Sequence, residues 1–127
     1  MLGQEQLDAI EEVLLEDLFD VGVNCIFLID MAGNVIANLD NGEIYSLAAL
    51  AAGNFAAVST MAKIVGEDEF SLLFHKGEKE SIHFSKVLTD FLLITIFGRG
   101  ISLGFLRLKV AEATEKIKKI LEPYCAP

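Results

Sequence analysis

The sequence predicts an α/β (α+β) three-layer sandwich with element order α-β-β-α-β-β-β-α. A five-stranded antiparallel sheet carries one helix on one face and two on the other. Three observations lead there. Residues 23–29 and 91–97 are continuous apolar runs rich in β-branched and aromatic types, which read as strands buried on both faces. Three longer stretches repeat apolar residues at helical spacing, at 4–19, 44–65 and 102–121. Central strands covered on both faces need helices on both sides of the sheet.

The elements follow in order. In 4–19, Leu7, Ile10, Leu14 and Leu18 form the apolar seam, Asp8, Glu11, Glu12 and Glu16 lie elsewhere, and Asp20-Val21-Gly22 ends the helix. After the strand at 23–29, Asp30-Met31-Ala32-Gly33-Asn34 reads as a tight turn, with Gly33 free to take φ > 0, and Val35–Asn38 returns as a second strand. A calcium loop starting at Asp30 is disfavoured, because Ala32 stands where an acidic or amide ligand would be needed and Asn41 where a carboxylate would be. The helix over 44–65 closes at Gly66, and Glu67-Asp68-Glu69 reads as a solvated loop. Phe70–His75 and Ser81–Val87 form a hairpin around Gly77-Glu78-Lys79. A three-residue loop puts Phe70, Leu72, Phe74, Ile82 and Phe84 on one face and Ser71, Leu73, His75, Ser81, His83 and Ser85 on the other. Ser102 caps the last helix, whose seam is Leu103, Leu106, Val110, Ala113, Ile117 and Ile120, with Pro123 beyond it.

Composition narrows the function. A chain of 127 residues fits one domain, 1–127, and 53% hydrophobic residues exclude intrinsic disorder. Nineteen acids against ten bases give a net charge of -9, which repels a phosphate backbone, so no nucleic-acid partner is expected. The charge is divided: residues 1–62 hold ten acids and no Lys or Arg, whereas Arg107, Lys109, Lys116, Lys118 and Lys119 make the last helix basic. The acidic first helix and the basic last helix are therefore expected side by side on one face. Two cysteines, Cys25 and Cys125, make neither a disulfide framework nor a zinc motif. The start, Met1-Leu2-Gly3-Gln4-Glu5, lacks the basic and apolar regions of a signal peptide, so a cytoplasmic protein is expected.

Catalytic signatures are scarce. The chain has no GxxxxGK[ST], and Gly98-Arg99-Gly100 with Gly104 does not match GxGxxG. His75 and His83 lack a neighbouring Cys or carboxylate pair and read as polar positions on a sheet face, and Arg99 reads as a solvated loop residue. No cofactor, no metal and no catalytic residue is expected, and a binding or regulatory module is favoured over an enzyme.

The stretch 44–62 carries no charge, yet seven of its residues are Ala, so it is too weakly apolar for a membrane span. At 100° per residue, Leu47, Leu50, Val58, Met61 and Val65 gather on one side, with Phe55 at the margin, and this side is assigned to the sheet together with Asn54. The opposite side holds Tyr45, Ala49, Ala52, Gly53, Ala56, Ser59, Thr60 and Lys63. Such a small, nearly uncharged face lets another backbone approach and marks the centre of an interface, which predicts a homodimer.

At these residues the chain resembles the Roadblock (dynein light chain) family. The resemblance is carried by Ile29-Asp30-Met31-Ala32-Gly33-Asn34-Val35-Ile36, by Ser46-Leu47-Ala48-Ala49-Leu50-Ala51-Ala52-Gly53-Asn54 and by Ser102-Leu103-Gly104-Phe105-Leu106-Arg107-Leu108. Over Leu50–His75 it is similar to the bacterial gliding-motility branch of that family. The resemblance implies a homodimer paired through central helices and third strands. It implies as partner a Ras-like small GTPase, bound by two Roadblock subunits, whose GTP hydrolysis is accelerated by reshaping its switch regions without an inserted arginine. The partner-facing residues carried over are Ala49, Ala52, Gly53, Ala56 and Thr60, with Lys63 beside them. Two other readings compete: a Roadblock-type structural adaptor without effect on GTP turnover, and a small-molecule sensor of the PAS or GAF type.

Overall fold

A computed structural model describes residues 3–39, 44–66, 73–76, 79–88 and 90–125. The expectations for Glu67-Asp68-Glu69, Phe70–Leu72 and Gly77-Glu78 fall outside the described residues.

The first helix, α1, spans Gln4–Val13, and the Gln6 side chain reaches back 3.1 Å to the Gly3 N–H. The chain then winds as a π turn over Leu14–Leu18 and a 3-10 turn over Phe19–Val21, and stops at Gly22, whose φ is 106°. The expectation of one regular helix over 4–19 is thus corrected. The bonding there widens from i→i+4 to i→i+5, and Leu14, Asp17 and Leu18 are buried within the turn.

Strands β1 (Cys25–Asp30), β2 (Val35–Leu39), β3 (Leu73–Lys76), β4 (Glu80–Val87) and β5 (Phe91–Gly98) form one antiparallel sheet ordered β2-β1-β5-β4-β3. The two apolar runs become the adjacent central strands β1 and β5. Val23 is buried but lies ahead of the strand. The β3–β4 register pairs Phe74 with His83 and His75 with Ile82, one residue away from the expected three-residue loop. A shift of one exchanges faces along the strand, so the expected face partners of β3 are corrected.

Helix α2 spans Ile44–Ile64 and α3 spans Leu103–Cys125. Ser102 Oγ accepts a hydrogen bond from the Phe105 N–H at 3.2 Å, as its capping role requires. The α3 helix runs through Pro123 rather than stopping before it. In the last turn the missing proline N–H removes only one intrahelical bond.

Two cores sandwich the sheet. Ile10, Leu14, Leu18, Leu106, Val110, Ala113, Ile117 and Leu121 pack with Ile26, Leu28, Val87, Leu93 and Phe97 on one side. On the other side Ala48, Ala51, Ala52 and Phe55 pack with Phe27, Ile29, Phe84, Leu92 and Ile94. So α1 and α3 share one face and α2 covers the other. The expected link between the acidic and basic helices is present: Lys116 Nζ donates to Asp17 Oδ1 at 3.0 Å and lies 2.9 Å from Oδ2. The hydrogen bond to Asp17 raises the Lys116 pKa, and Coulombic attraction to Asp17, Glu112 and Glu16 adds to the rise.

A candidate partner interface on the central helix

The seat of α2 is built by the β1–β2 turn. Asp30 Oδ1 accepts the backbone N–H groups of Ala32 at 3.0 Å and Asn34 at 2.9 Å, and Oδ2 accepts the Asn34 side-chain amide at 2.9 Å. Burial pulls the Asp30 pKa upward, but the bonds from Asn34, Ala32 and Gly33 outweigh it and hold the carboxyl below its ordinary value. These bonds organise the turn. Gly33 takes φ 91°, and a Cβ placed on it would stand 3.1 Å from the Ala49 Cα and 3.6 Å from the Ala48 carbonyl oxygen. The turn therefore touches the backbone of α2, an approach that glycine allows and a side chain would obstruct.

Burial then shows which side of α2 meets the sheet. Ala48, Ala51, Ala52, Phe55 and Ala62 face the sheet. The sequence reading put Leu50, Met61 and Val65 there, and that phase is corrected: they are 72%, 59% and 68% exposed. Ile64 joins them at 79%. Four alanines and Phe55 fill the sheet side, which leaves the aliphatic side chains Leu50, Met61, Ile64 and Val65 pointing outward. Val58 and Asn54 are half-buried at the margin, whereas the side chains of Tyr45 and Leu47 lie outside the described residues.

The predicted site residues separate. Ala49, Gly53, Ala56, Thr60 and Lys63 are exposed along one flank of the outward arc. Ala52 does not belong with them: it is 7% exposed and part of the sheet-side core, because it lies on the arc of Ala48, Phe55 and Ala62. The Thr60 hydroxyl donates back to the Ala56 carbonyl at 3.0 Å, so it is occupied within its own helix. The second flank is Leu50, Ala57, Met61 and Ile64, which spacing places together at about 100° per residue. Sequence reasoning missed this flank, and Ile64 in particular. The available signal was the absence of charge around the whole circumference, which meant that more than one face had to be covered.

The remaining candidates are dispersed. His83 is buried under α3, while His75 lies on the edge strand β3 and Arg99 is exposed in the turn after β5. Among the described residues no group of three His, Cys, Asp or Glu side chains could hold a metal ion. Among them too, no helix is long and apolar enough to cross a membrane.

This arrangement, with two helices on one face, an alanine-seated helix on the other and sheet order β2-β1-β5-β4-β3, can be compared with known proteins. Residues 10–97 match the Roadblock/LC7 domain. The chain belongs to the Roadblock/LC7 family. Among solved structures it is similar to MglB of Myxococcus xanthus, with 32% identity and a TM-score of 0.90, covering 100% of this chain and 98% of that one. It is also similar to the gliding protein MglB of Thermus thermophilus, with 30% identity and a TM-score of 0.88, covering 97% and 96% of the two chains. A further MglB structure, described as having a tetrameric arrangement, is 29% identical with a TM-score of 0.89, covering 97% and 95%. No curated protein matches the chain in sequence.

Proposed function

We propose that this Roadblock protein is a cytoplasmic homodimeric regulator of a Ras-like small GTPase of the MglA kind, serving bacterial polarity or gliding motility as a GTPase-activating partner. The whole of residues 1–127 acts as one domain. The observation that carries the reading is the outward face of α2, where Leu50, Met61 and Ile64 are exposed together on a helix without charge from Ile44 to Ala62. Side chains of this kind left in water favour association, and burying each one fully is worth about 1.5–3 kcal/mol. The similarity to MglB over nearly the full length of both chains supports a related regulatory role. The tetrameric arrangement of one such MglB supports self-association.

The two flanks of α2 divide the work in this reading. Leu50, Ala57, Met61 and Ile64 form the seam between two copies, extended by pairing of the β3 edges. Ala49, Gly53, Ala56, Thr60 and Lys63 form a flat floor for the GTPase switch regions. The protein supplies no catalytic group and acts by changing the conformation of its partner. The test is co-purification with an MglA-type GTPase, followed by single-turnover GTP hydrolysis with and without this protein. Binding with faster hydrolysis supports the reading, binding without it makes the protein an adaptor, and no binding refutes the partner assignment.

A further inference from the structure

Alternation along the strands places His83 on the α1/α3 side of the sheet: Ile82 and Phe84 pack toward α2, whereas Val87 packs toward α1 and α3. On β5 its register partner is Thr95, between Leu93 and Phe97 of the same core. His83 is 2% exposed, and both ring nitrogens and the Thr95 hydroxyl are buried without a hydrogen-bond partner. Buried polar groups are nearly always bonded, so this pair needs an explanation. Arg107 lies on α3, and its positive charge disfavours a proton on the imidazole.

We propose that His83, buried opposite Thr95 on the α3 side of the sheet, is a proton-operated latch: the first turns of α3, Leu103–Val110, stay on the sheet while the imidazole is neutral and are released on acidification. With a neutral imidazole the latch is closed. A protonated imidazole would put a buried cation beside Arg107 with no acidic partner among the described residues. From β5 the group opposite is Thr95 and from β3 the register partner is Phe74, and neither titrates. The nearby α3 charges Lys109 and Glu112 are paired with each other at 3.1 Å, and Asp17 is held by Lys116. The sheet cannot yield easily, because β4 and β5 pair from Glu80↔Gly98 to Val87↔Phe91. The start of α3 can. In Leu103–Val110 only Leu106 and Val110 are buried, whereas Ala113, Ile117 and Leu121 and the Lys116–Asp17 bond anchor the rest.

Burial first, and Arg107 second, lower the His83 pKa from 6.5 to about 4 in the closed form. The released form regains the ordinary value, so it binds more protons. The latch is therefore intact above 6.5, weakens as pH falls, and stops weakening below about 4. By this linkage the opening constant rises about twenty-fold between about pH 7 and pH 5.

The test is NMR on the full chain, following the His83 imidazole and the exchange protection of Leu106 and Val110 against Ile117 and Leu121. We expect the imidazole to stay neutral well below its ordinary range, and protection of Leu106 and Val110 to fall first as pH drops. His83→Gln should abolish that pH response, and Arg107→Gln should raise the His83 midpoint and shrink the response. An imidazole midpoint near the free value, opening of α3 as one unit, or an unchanged response in His83→Gln would each overturn the latch. Should His83→Gln fail to fold, Arg107→Gln decides alone, because its side chain is exposed and an unchanged midpoint refutes the role of Arg107.

Discussion

Ile64→Ala is the sharpest test of the α2 seam. The side chain is 79% exposed in the single chain, so its removal takes little from the core. The substitution deletes three carbons, worth about 0.8 kcal/mol each when buried, or about 2.4 kcal/mol. Scaled by the exposed share, about 1.9 kcal/mol is available to a partner per copy. A two-fold dimer presents the residue twice, so the loss approaches 4 kcal/mol, about a 500-fold weaker dissociation constant. Sedimentation velocity over a dilution series reads that constant directly, and denaturation measured on the dissociated protein checks the fold. A dissociation constant within a factor of three of wild type would refute the seam. So would a fall of more than about 1 kcal/mol in the stability of the monomer, because Ile64 would then be packed within its own chain.

The other substitutions separate the flanks and the seat. Ala56→Arg, on the small flank, should leave the thermal melt within a few degrees of wild type and the dimer intact, while abolishing pull-down of the GTPase. Ala52→Arg, one turn earlier but on the sheet side, should instead unfold the protein in circular dichroism, because a long cation cannot enter the core between α2 and the sheet. Gly33→Ala should cost about 1–3 kcal/mol in urea denaturation, from the positive φ and the 3.1 Å approach to Ala49. The same variant should weaken dimerisation by displacing α2, and an unchanged midpoint in urea would show that the turn does not seat the helix.

Much of the fold was legible because its signals are local and unambiguous. The runs that become β1 and β5 could hardly be other than central strands, and that choice forces helices onto both faces. Gly22 and Ser102 mark helix ends through backbone chemistry that needs no tertiary context. The β3–β4 register was less legible, because it depends on whether the loop holds three residues or four. The π turn at Leu14–Leu18 was hidden for another reason. The four-residue spacing of Ile10, Leu14 and Leu18 reads as a regular helix, and nothing in the local sequence marks where the winding widens.

The phase of α2 shows where hydrophobicity stops being a guide to burial. A helix with a polar side reveals its core side by contrast, since the charged residues mark the solvent. In α2 there is no contrast before Lys63, and the rule that larger residues go inward selected Leu50 and Met61. The structure inverts this, and the β1–β2 turn comes close to the helix backbone on the way, where a Cβ on Gly33 would stand 3.1 Å from the Ala49 Cα. On the sheet side the places are taken by Ala48, Ala51, Ala52 and Ala62 around one large residue, Phe55, which leaves Leu50, Met61 and Ile64 outward. The exposed Leu50, Met61 and Ile64 thus follow from the packing of the sheet side. A partner that covers them completes an arrangement whose inner half is already full. If α2 is a seam, a Gly33 substituent and an Ile64 truncation should weaken the same dimer in two ways, the first by moving the helix and the second by stripping it.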